Sequence, residues 1–347
     1  MKMKKGFVSI ISLIVMAVLF LMVLYLLYTT ELGYQILSVT ISKNQSYYQS
    51  EGKIYMSVYD DKYYENQLYP SILKELRKEG PKIKDHKLVI DINDLEAGDN
   101  LEKVKMSFID EEGKFKLKLL AESNFNNTNT SVTSTISLVN EIFETNKSVL
   151  ALDLIEEKYK KNFEELFKLI CKDISVNICN GSSNITGIEY LNYNKVILEK
   201  KANKNYEISA LRESMENPSV QGIDKDEIFI VVKPFNNNSV NLFIGCPKAN
   251  NNSNGNIDLS GIIFVEGDII ISQDFDFKGI IIVKGGTILV EPNINSKIQG
   301  LIITENINNL EEFIEETGIL HSRHTIYKYG TYIPGFLDVQ IDLIKGK

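Results

Sequence analysis

The side chains with the most obvious chemistry in this 347-residue chain are three cysteines and three histidines. Cys171 and Cys179 could pair, which would leave Cys246 over, but an odd count cannot form a closed disulfide framework, and we favour buried free thiols. A zinc site is not expected, because no Cys-x-x-Cys pair occurs and the histidines do not follow finger spacing. We expect His321 and His324, three residues apart, to be surface residues rather than a metal pair.

Catalytic motifs are missing from the sequence. It contains no Gly-x-Ser-x-Gly, no phosphate-binding loop, no dinucleotide fingerprint and no His-Glu-x-x-His. The charged residues of the C-terminal strands described below, Glu266, Asp268, Lys284 and Glu291, lack the arginine expected in a polysaccharide lyase. We therefore expect no enzyme, no catalytic residue and no cofactor.

Charge narrows the range of ligands. The net charge is -8, so the chain does not attract nucleic acid by bulk electrostatics. The acidic turn Asp110-Glu111-Glu112-Gly113 could hold Ca²⁺, but it lacks the ligand pattern of an EF-hand loop. A solvated turn is the favoured interpretation, and no metal site is predicted.

The N-terminus has the pattern of a membrane-inserted segment. Lys2, Lys4 and Lys5 precede Gly6, and from Phe7 onward no charged residue occurs until Glu31. The apolar run from residue 7 to 28 is long enough to cross a hydrocarbon core of about 30 Å as a helix. The basic flank should stay in the cytoplasm, which places residue 29 onward outside.

Two simpler interpretations of this N-terminus remain. A secretory signal peptide has a shorter apolar core and ends at a small-residue cleavage site, whereas this run ends in Leu-Tyr-Thr-Thr-Glu-Leu-Gly. A plain uncleaved membrane anchor is the stronger alternative. The residues around the junction between Gly6 and Phe7 carry a signal that a plain anchor would not need.

The segment Lys4-Lys5-Gly6-Phe7-Val8-Ser9-Ile10-Ile11 resembles the type III signal of type IV prepilins. The resemblance implies that a prepilin peptidase cleaves after Gly6 and that the new N-terminal residue, Phe7, is N-methylated. Bulk pilins carry Glu at the fifth mature position, which is Ile11 here. This departure is similar to the minor pseudopilin at the tip of type II secretion pseudopili and to PilX-like minor pilins.

Further segments support the same resemblance. The apolar face continues beyond the membrane, which predicts one helix over 7–52 that ends at Gly52. The sequence Tyr47-Tyr48-Gln49-Ser50-Glu51-Gly52 resembles the end of the PilX-like N-terminal region, and Asp110 to Lys114 resembles an Asp-Glu-x-Gly-Lys segment of that family. A dimerising coiled coil is the alternative for the amphipathic part.

The middle of the chain reads as a mixture of strands and helix. A hairpin is predicted from 103–109 and 114–120 around Gly113, because both flanks alternate polar and apolar residues. The Asn/Ser/Thr tract 125–135 reads as a loop or linker. Apolar residues recur at helical spacing from Ile155 to Ile170, which predicts an amphipathic helix whose stripe is core.

A repeat dominates the C-terminal part. Gly261-Ile-Ile-Phe-Val-Glu-Gly267 aligns with Gly279-Ile-Ile-Ile-Val-Lys-Gly285, and a third copy begins at Gly300. Short β-branched strands that repeat in this way predict stacked β-coils with glycine at the corners, although a sandwich of hairpins is the alternative. Ile263 and Ile281 share a phase, so both should point inward.

These observations combine into one prediction. The fold class is α+β, with a prepilin leader at 1–6, an N-terminal helix over 7–52 that is transmembrane at 7–28, a mixed α/β region at 53–240 and a β-helix or β-roll region at 241–347. The predicted function is a minor type IV pilin that primes assembly or lies at the pilus tip, in the cytoplasmic membrane and later at the cell surface. Its expected partners are other pilins, the prepilin peptidase and membrane lipid, with an extracellular glycan or protein as a possible ligand. The alternative is a membrane-anchored surface binding module unrelated to a pilus.

Overall fold

The computed structural model describes residues 4–78, 86–111, 113–179, 185–201, 205–212, 217–234, 240–245, 255–306, 313–314 and 317–346. These residues form an α+β protein in which a 56-residue helix at the N-terminus precedes a mostly β region. The helices are α1 Lys4–Tyr59, α2 Asp61–Tyr63, α3 Tyr69–Leu76, α4 Glu157–Asp173 and α5 Arg323–Gly330, with a π-helical turn at Tyr64–Leu68.

The strands form three sheets. In chain order they are β1 His86–Val89, β2 Lys103–Glu111, β3 Lys114–Phe125, β4 Thr128–Val139, β5 Val149–Leu150, β6 Thr186–Leu191, β7 Lys195–Lys200, β8 Tyr206–Leu211, β9 Ser219–Ile223, β10 Glu227–Lys233, β11 Val240–Ile244, β12 Ile257–Val265, β13 Gly267–Ile271, β14 Phe275–Val283, β15 Ile288–Val290, β16 Ser296–Thr304, β17 Gly318–His321 and β18 Leu337–Gly346.

Helix α1 is longer than the sequence suggested. At about 1.5 Å per residue it spans about 84 Å, and it continues through Gly52 to Tyr59, so the predicted end at Gly52 is wrong. Ile54 and Val58 are buried beyond the glycine, and this packing carries the helix onward. The chain turns at Asp60, whose side chain caps α2 by accepting a hydrogen bond from the Lys62 N–H.

The first sheet is antiparallel, in the order β1-β2-β3-β4-β18. Its β2–β3 hairpin confirms the predicted one, with Glu111 opposite Lys114. The linker predicted over 125–135 is wrong, because β3 and β4 pair up to Phe125 and Thr128 around a two-residue turn. Asn126 and Asn127 make that turn with φ of 47° and 60°, a conformation that asparagine tolerates better than most residues.

The other two sheets are built largely from parallel strands. One has the order β17-β16-β14-β12-β10-β6, with β5 beside β16, and the other has the order β15-β13-β11-β7-β8-β9. From β10 to β16 successive strands alternate between the two sheets, and each pairs in parallel with the strand two positions later. The three sequence repeats pair as they align, with Gly261 opposite Gly279 and Gly279 opposite Gly300.

The stacked strands do not respect the predicted boundary at residue 241. Strand β10 precedes it and pairs with β12, and β6 extends the same sheet further toward the N-terminal part of the chain. The last strand, β18, leaves the stack and closes the antiparallel sheet beside β4. The C-terminal repeat is therefore continuous with the middle of the chain.

Three glycines of the repeat, Gly261, Gly279 and Gly300, lie in the middle of their strands and not at corners as the sequence suggested. Two others do lie between strands, because Gly267 begins β13 and Gly285 lies in the bend after β14. A Cβ added at Gly279 would come within 1.9 Å of the Gly261 carbonyl oxygen, and one at Gly300 within 1.9 Å of the Gly279 oxygen. No side chain fits such an approach between neighbouring strands. This glycine column, Gly261, Gly279 and Gly300, therefore sets how closely the strands stack.

Two hydrophobic clusters fill the β region. The first, which we call the stacked-strand core, lies between the two parallel sheets, and Ile263, Ile281 and Ile302 form one of its rows at 0–1% exposure. Both isoleucines predicted to point inward do so. The second cluster joins the opposite face of β12, β14 and β16 to α4, α5 and the antiparallel sheet. Phe163, Leu166, Phe167 and Ile170 of α4 belong to it, which confirms the predicted helix and its buried stripe.

Candidate functional site

The predicted processing site lies at the free end of α1. Lys4, Lys5 and Gly6 are already helical in the backbone, and the helix continues through Phe7 without a break. The Phe7 side chain is 66% exposed and that of Ile11 is 44% exposed. Four residues apart on a helix, these two side chains share one face. The Phe7 and Ile11 side chains are therefore not covered by the β region.

Helix α1 is the one helix among the described residues that is long and apolar enough to cross a membrane. None of its most apolar stretch is buried inside the protein, so its hydrophobic side chains have no protein environment of their own. Apolar surface of this extent is costly in water, which makes lipid or other helices its natural surroundings.

The exposed apolar surface of α1 is longer than a membrane requires. It runs from Phe7 to Ile41, about 52 Å at 1.5 Å per residue, whereas a hydrocarbon core is about 30 Å thick. The part beyond the membrane-length segment carries six large exposed side chains: Leu32, Tyr34, Ile36, Leu37, Val39 and Ile41.

These six residues form two stripes, not one. At about 100° per residue, Leu32, Ile36 and Val39 lie on one face of the helix. The second group lies roughly opposite, on the far side of the helix: Tyr34, Leu37 and Ile41. Gly33 and Thr40 lie between the stripes on one side, and Gln35 and Ser38 on the other. A helix with two opposed apolar stripes can pack against partners on both sides.

Beyond Ile41 the helix meets the antiparallel sheet through a polar face. We call this contact the polar seam, and its helix residues are all less than 9% exposed: Ser42, Ser46, Gln49, Ser50, Lys53 and Ser57. Apart from the adjacent Gln49 and Ser50, successive residues of this set are three or four positions apart and so form one stripe. The buried sheet residues beneath include Ser123, Thr130 and Ser134.

Directed hydrogen bonds join the two sides of the polar seam. The Ser46 hydroxyl donates to the Ser123 carbonyl at 2.8 Å, and the Ser50 hydroxyl donates to the Thr130 carbonyl at 3.1 Å. The hydroxyl oxygens of Ser123, Thr130 and Ser134 make no hydrogen bond with any described residue. The seam therefore fixes the position of α1 through specific bonds but leaves part of its polar surface unsatisfied.

Lys53 is the centre of the polar seam. Its side chain is 2% exposed, and its Nζ donates to the carbonyls of Leu101 at 2.6 Å and Glu122 at 2.7 Å. The Asp99 carboxylate, 1% exposed, lies 2.7 Å from the same Nζ. Burial lowers the pKa of Lys53, while the nearby Asp99 opposes that shift.

The cysteines and histidines singled out in the sequence are not brought together. Cys171 is buried with a free thiol, and burial raises its pKa to about 11. The side chain of Cys179 and the whole of Cys246 lie outside the described residues, so their pairing stays open.

The two neighbouring histidines differ in environment. His324 is exposed as expected, but His321 is only partly exposed, and its buried Nε2 has no hydrogen-bond partner among the described residues. Burial, followed by the nearby Arg323, lowers the pKa of His321. No cluster of three metal-ligating side chains occurs in the described parts of the chain.

The charged residues of the stacked strands serve the fold. Glu266 pairs with Lys284 at 3.4 Å, and Asp268 accepts a hydrogen bond from the Thr287 N–H at 2.8 Å. Asp110, in the acidic turn considered for Ca²⁺, is exposed, and Glu112 lies outside the described residues.

A further feature, like the polar seam, was not anticipated from the sequence. A cavity of about 770 Å³ lies where β4, α4 and β18 meet, and five carboxylates line it together with Lys114: Glu141, Glu144, Glu165, Asp338 and Asp342. The Glu144 side chain is only 6% exposed, and its Oε2 lies 3.3 Å from Lys114 Nζ. Burial raises the pKa of Glu144. No sequence signal links these residues, which come from three separate elements.

Comparisons with family models, curated proteins and solved structures found no match to this chain.

Proposed function

We propose that this protein is a minor type IV pilin of the PilX-like kind, which primes assembly of a pilus or lies near its tip. It would be made as a prepilin that residues 7–28 hold in the cytoplasmic membrane, and residue 29 onward would lie outside that membrane. Prepilin peptidase would cleave between Gly6 and Phe7, and Phe7 would then be N-methylated. The protein is proposed to act as a structural component and not as an enzyme.

One observation carries the proposal: α1 is a single helix that begins at the basic leader and ends within the β region. Its first part is exposed and apolar, whereas its last part is held on the sheet through the polar seam. A subunit that leaves the membrane to join a filament needs such a helix, because other helices can replace lipid around the apolar part. The two opposed stripes between Leu32 and Ile41 suit neighbours on both sides.

The position of Ile11 supports a low-copy role. An inter-subunit ion pair made by Glu at this position is not available to a chain with isoleucine there. Because the apolar face from Phe7 to Ile11 is exposed, the chain would still join a helical bundle by apolar contact alone. This suits a subunit at a filament end or in the initiating complex better than the bulk subunit.

The finer fold assignment belongs to the same proposal. We assign the alternating parallel strands β10 to β16 to a small β-helix-like coil, in which each strand buries its apolar face against its neighbours. Its outer face carries a row of exposed or partly exposed polar side chains along neighbouring strands, with Asp258 opposite Asp276 and Asp276 opposite Lys297. That row favours the second candidate function, a membrane-anchored module that binds an extracellular glycan or protein without any pilus.

The deciding experiment reads the mature N-terminus. The chain is expressed with and without an active prepilin peptidase, extracted from membranes and digested, and its N-terminal peptide is identified by mass spectrometry. We expect N-methylated Phe7 as the first residue only when the peptidase is present. A chain that still begins at Met1 beside an active peptidase would refute the pilin proposal and leave the anchored binding module.

A matched pair of variants controls for damage to the helix. Gly6→Val should block cleavage, because it adds bulk at the cut site. Gly33→Val places the same side chain in the same helix, where an added Cβ meets nothing within 4 Å, and it should be processed like the parent. Equal processing of both variants would mean that Gly6 does not define the cut.

A further inference from the structure

The contact between Lys53 and Asp99 is unusual for an ion pair. Nζ lies 2.7 Å from Asp99 Oδ2, and both side chains are at most 2% exposed. Yet Oδ2 makes no properly directed hydrogen bond with any described residue. Both hydrogen bonds that Nζ does make go to backbone carbonyls, those of Leu101 and Glu122.

One position of the Lys53 nitrogen is left for Asp99 in either protonation state. A neutral amine has two N–H donors and one lone pair, while an ammonium ion has three donors. The two carbonyls use two donors, which leaves the remaining position of the tetrahedral nitrogen for the side of Asp99. Burial also disfavours the charged form of Lys53 and lowers its pKa, whereas the nearby Asp99 carboxylate opposes that shift.

We propose that Lys53 and Asp99 condense to an intramolecular amide bond that ties α1 covalently to the segment before β2. A proton first passes from Nζ to Oδ2, which gives the amine and the carboxylic acid. The Nζ lone pair then forms a bond to Asp99 Cγ, and the Cγ–Oδ2 bond breaks. Oδ2 leaves as water with its own proton and one from Nζ, so the step consumes no other reagent.

Three features of the site favour this reaction. The reacting groups are held in contact, which replaces a bimolecular encounter by an intramolecular one. Asp99 Oδ1, which becomes the amide oxygen, accepts a hydrogen bond from the Leu101 N–H at 3.0 Å, and this donor would stabilise the negative charge that develops on it. The buried site excludes bulk water, which would otherwise compete and hydrolyse.

The Glu122 carboxylate takes no part in the reaction, although the backbone carbonyl of Glu122 accepts a hydrogen bond from Lys53. The Glu122 side chain is 46% exposed and pairs with Lys105 at 3.4 Å, so it cannot reach the pair as an acid from inside the seam. Both protons that Nζ loses end on Oδ2, so the reaction needs no third side chain as an acid or base. This inference does not depend on a pilus, because it concerns only the body of the folded chain.

Peptide mapping of the full-length protein tests the proposal. The chain is purified in its folded, protease-resistant form, boiled in denaturant with reductant and digested with trypsin. We expect cleavage after Lys53 to be blocked and a branched peptide to appear that joins 44–62 to 88–103. Its mass should be lower than the sum of the two peptides by one water molecule. Recovery of 44–53 and 88–103 as separate, unmodified peptides would overturn the proposal and leave an ion pair only.

Two variants separate the amide bond from adventitious cross-linking. In Asp99→Asn the same branched peptide should form with loss of ammonia instead of water, because the leaving group is then the amide nitrogen. In Lys53→Arg the branched peptide should be absent. A branched peptide that persists in Lys53→Arg would place the link at other residues and refute the assignment.

Discussion

The polar seam and the stacked-strand core are equally buried but chemically opposite. Rows such as Ile263, Ile281 and Ile302 gain stability from apolar area alone, about 1.5–3 kcal/mol for each fully buried side chain. The seam beneath α1 buries serines and a lysine, which gain little from burial and depend on directed bonds. Apolar contact stabilises without prescribing a direction, whereas directed bonds fix one position and orientation of the helix. The core therefore holds the β region together, and the seam determines where α1 lies against it.

The largest expected effect tests the apolar side of this comparison. Ile281→Asp buries an unpaired carboxylate in the stacked-strand core and should lower the free energy of unfolding by about 4–5 kcal/mol. Denaturant unfolding of the detergent-solubilised chain, followed by circular dichroism, measures it. Leu289→Asp, at a side chain 48% exposed on β15, is the control and should change stability little. Equal unfolding of both variants would place Ile281 outside a core.

The next effect tests the polar side. Lys53→Met leaves the buried Asp99 side chain without its partner and the Leu101 and Glu122 carbonyls without a donor, and it should cost about 3–5 kcal/mol. Hydrogen exchange of the α1 amides near Lys53 would show the loss locally. Lys43→Met, at an exposed lysine of the same helix, serves as the control. If the α1 amides are equally protected from hydrogen exchange in both variants, Lys53 does not stabilise the polar seam.

A smaller effect depends on pH and on Cys171, which packs in the second hydrophobic cluster. Its pKa is raised from 9.0 to about 11 in the folded protein, so between these values the folded chain keeps a proton that the unfolded chain loses. Its contribution is therefore complete below pH 9 and is lost as the pH rises toward 11, by at most about 2–3 kcal/mol. Unfolding curves at several pH values measure this. Cys171→Ala should remove this part of the alkaline decline, and an unchanged decline would assign it to other groups.

The smallest effect concerns a single hydrogen bond of the seam. Ser50→Ala removes the bond to the Thr130 carbonyl and should cost about 1 kcal/mol, partly offset by the better helix propensity of alanine. Ser38→Ala, at an exposed serine of the same helix, gains only the propensity. The difference between the two unfolding free energies isolates the bond. A difference of zero would mean that the seam serines contribute by their small size.

Regular patterns in the sequence predicted much of the fold. The alignment of Gly261 with Gly279 gave the strand register, and the alternation around Gly113 gave the first hairpin. The tract that contains Asn126 and Asn127 was wrongly predicted as a loop because it is rich in serine and threonine. Exposed or partly exposed side chains in fact alternate with buried ones along this half-buried strand, and Thr130 and Ser134 are among the buried ones. Two adjacent asparagines were the available signal for a tight turn.

The seam and the cavity were harder to foresee. A lysine among serines and glutamines on a helix is typical of a solvated face, and Lys53 is buried only because the sheet lies across it. Its partner Asp99 and the carbonyl of Glu122 come from distant segments, so no local pattern connects them. The same holds for the carboxylates contributed by α4 and β18 to the acidic cavity.

The glycine column also has a consequence for how such a chain can change in length. Gly261, Gly279 and Gly300 stay aligned because each strand contributes one glycine at the same height. A duplication or deletion of one whole repeat would keep that alignment, and it would lengthen or shorten the stack by about 4.8 Å, the distance between neighbouring strands. An insertion of a few residues inside a strand would instead set a side chain against a carbonyl oxygen. Variation among descendants of this gene should therefore occur in whole repeats or in the connecting loops.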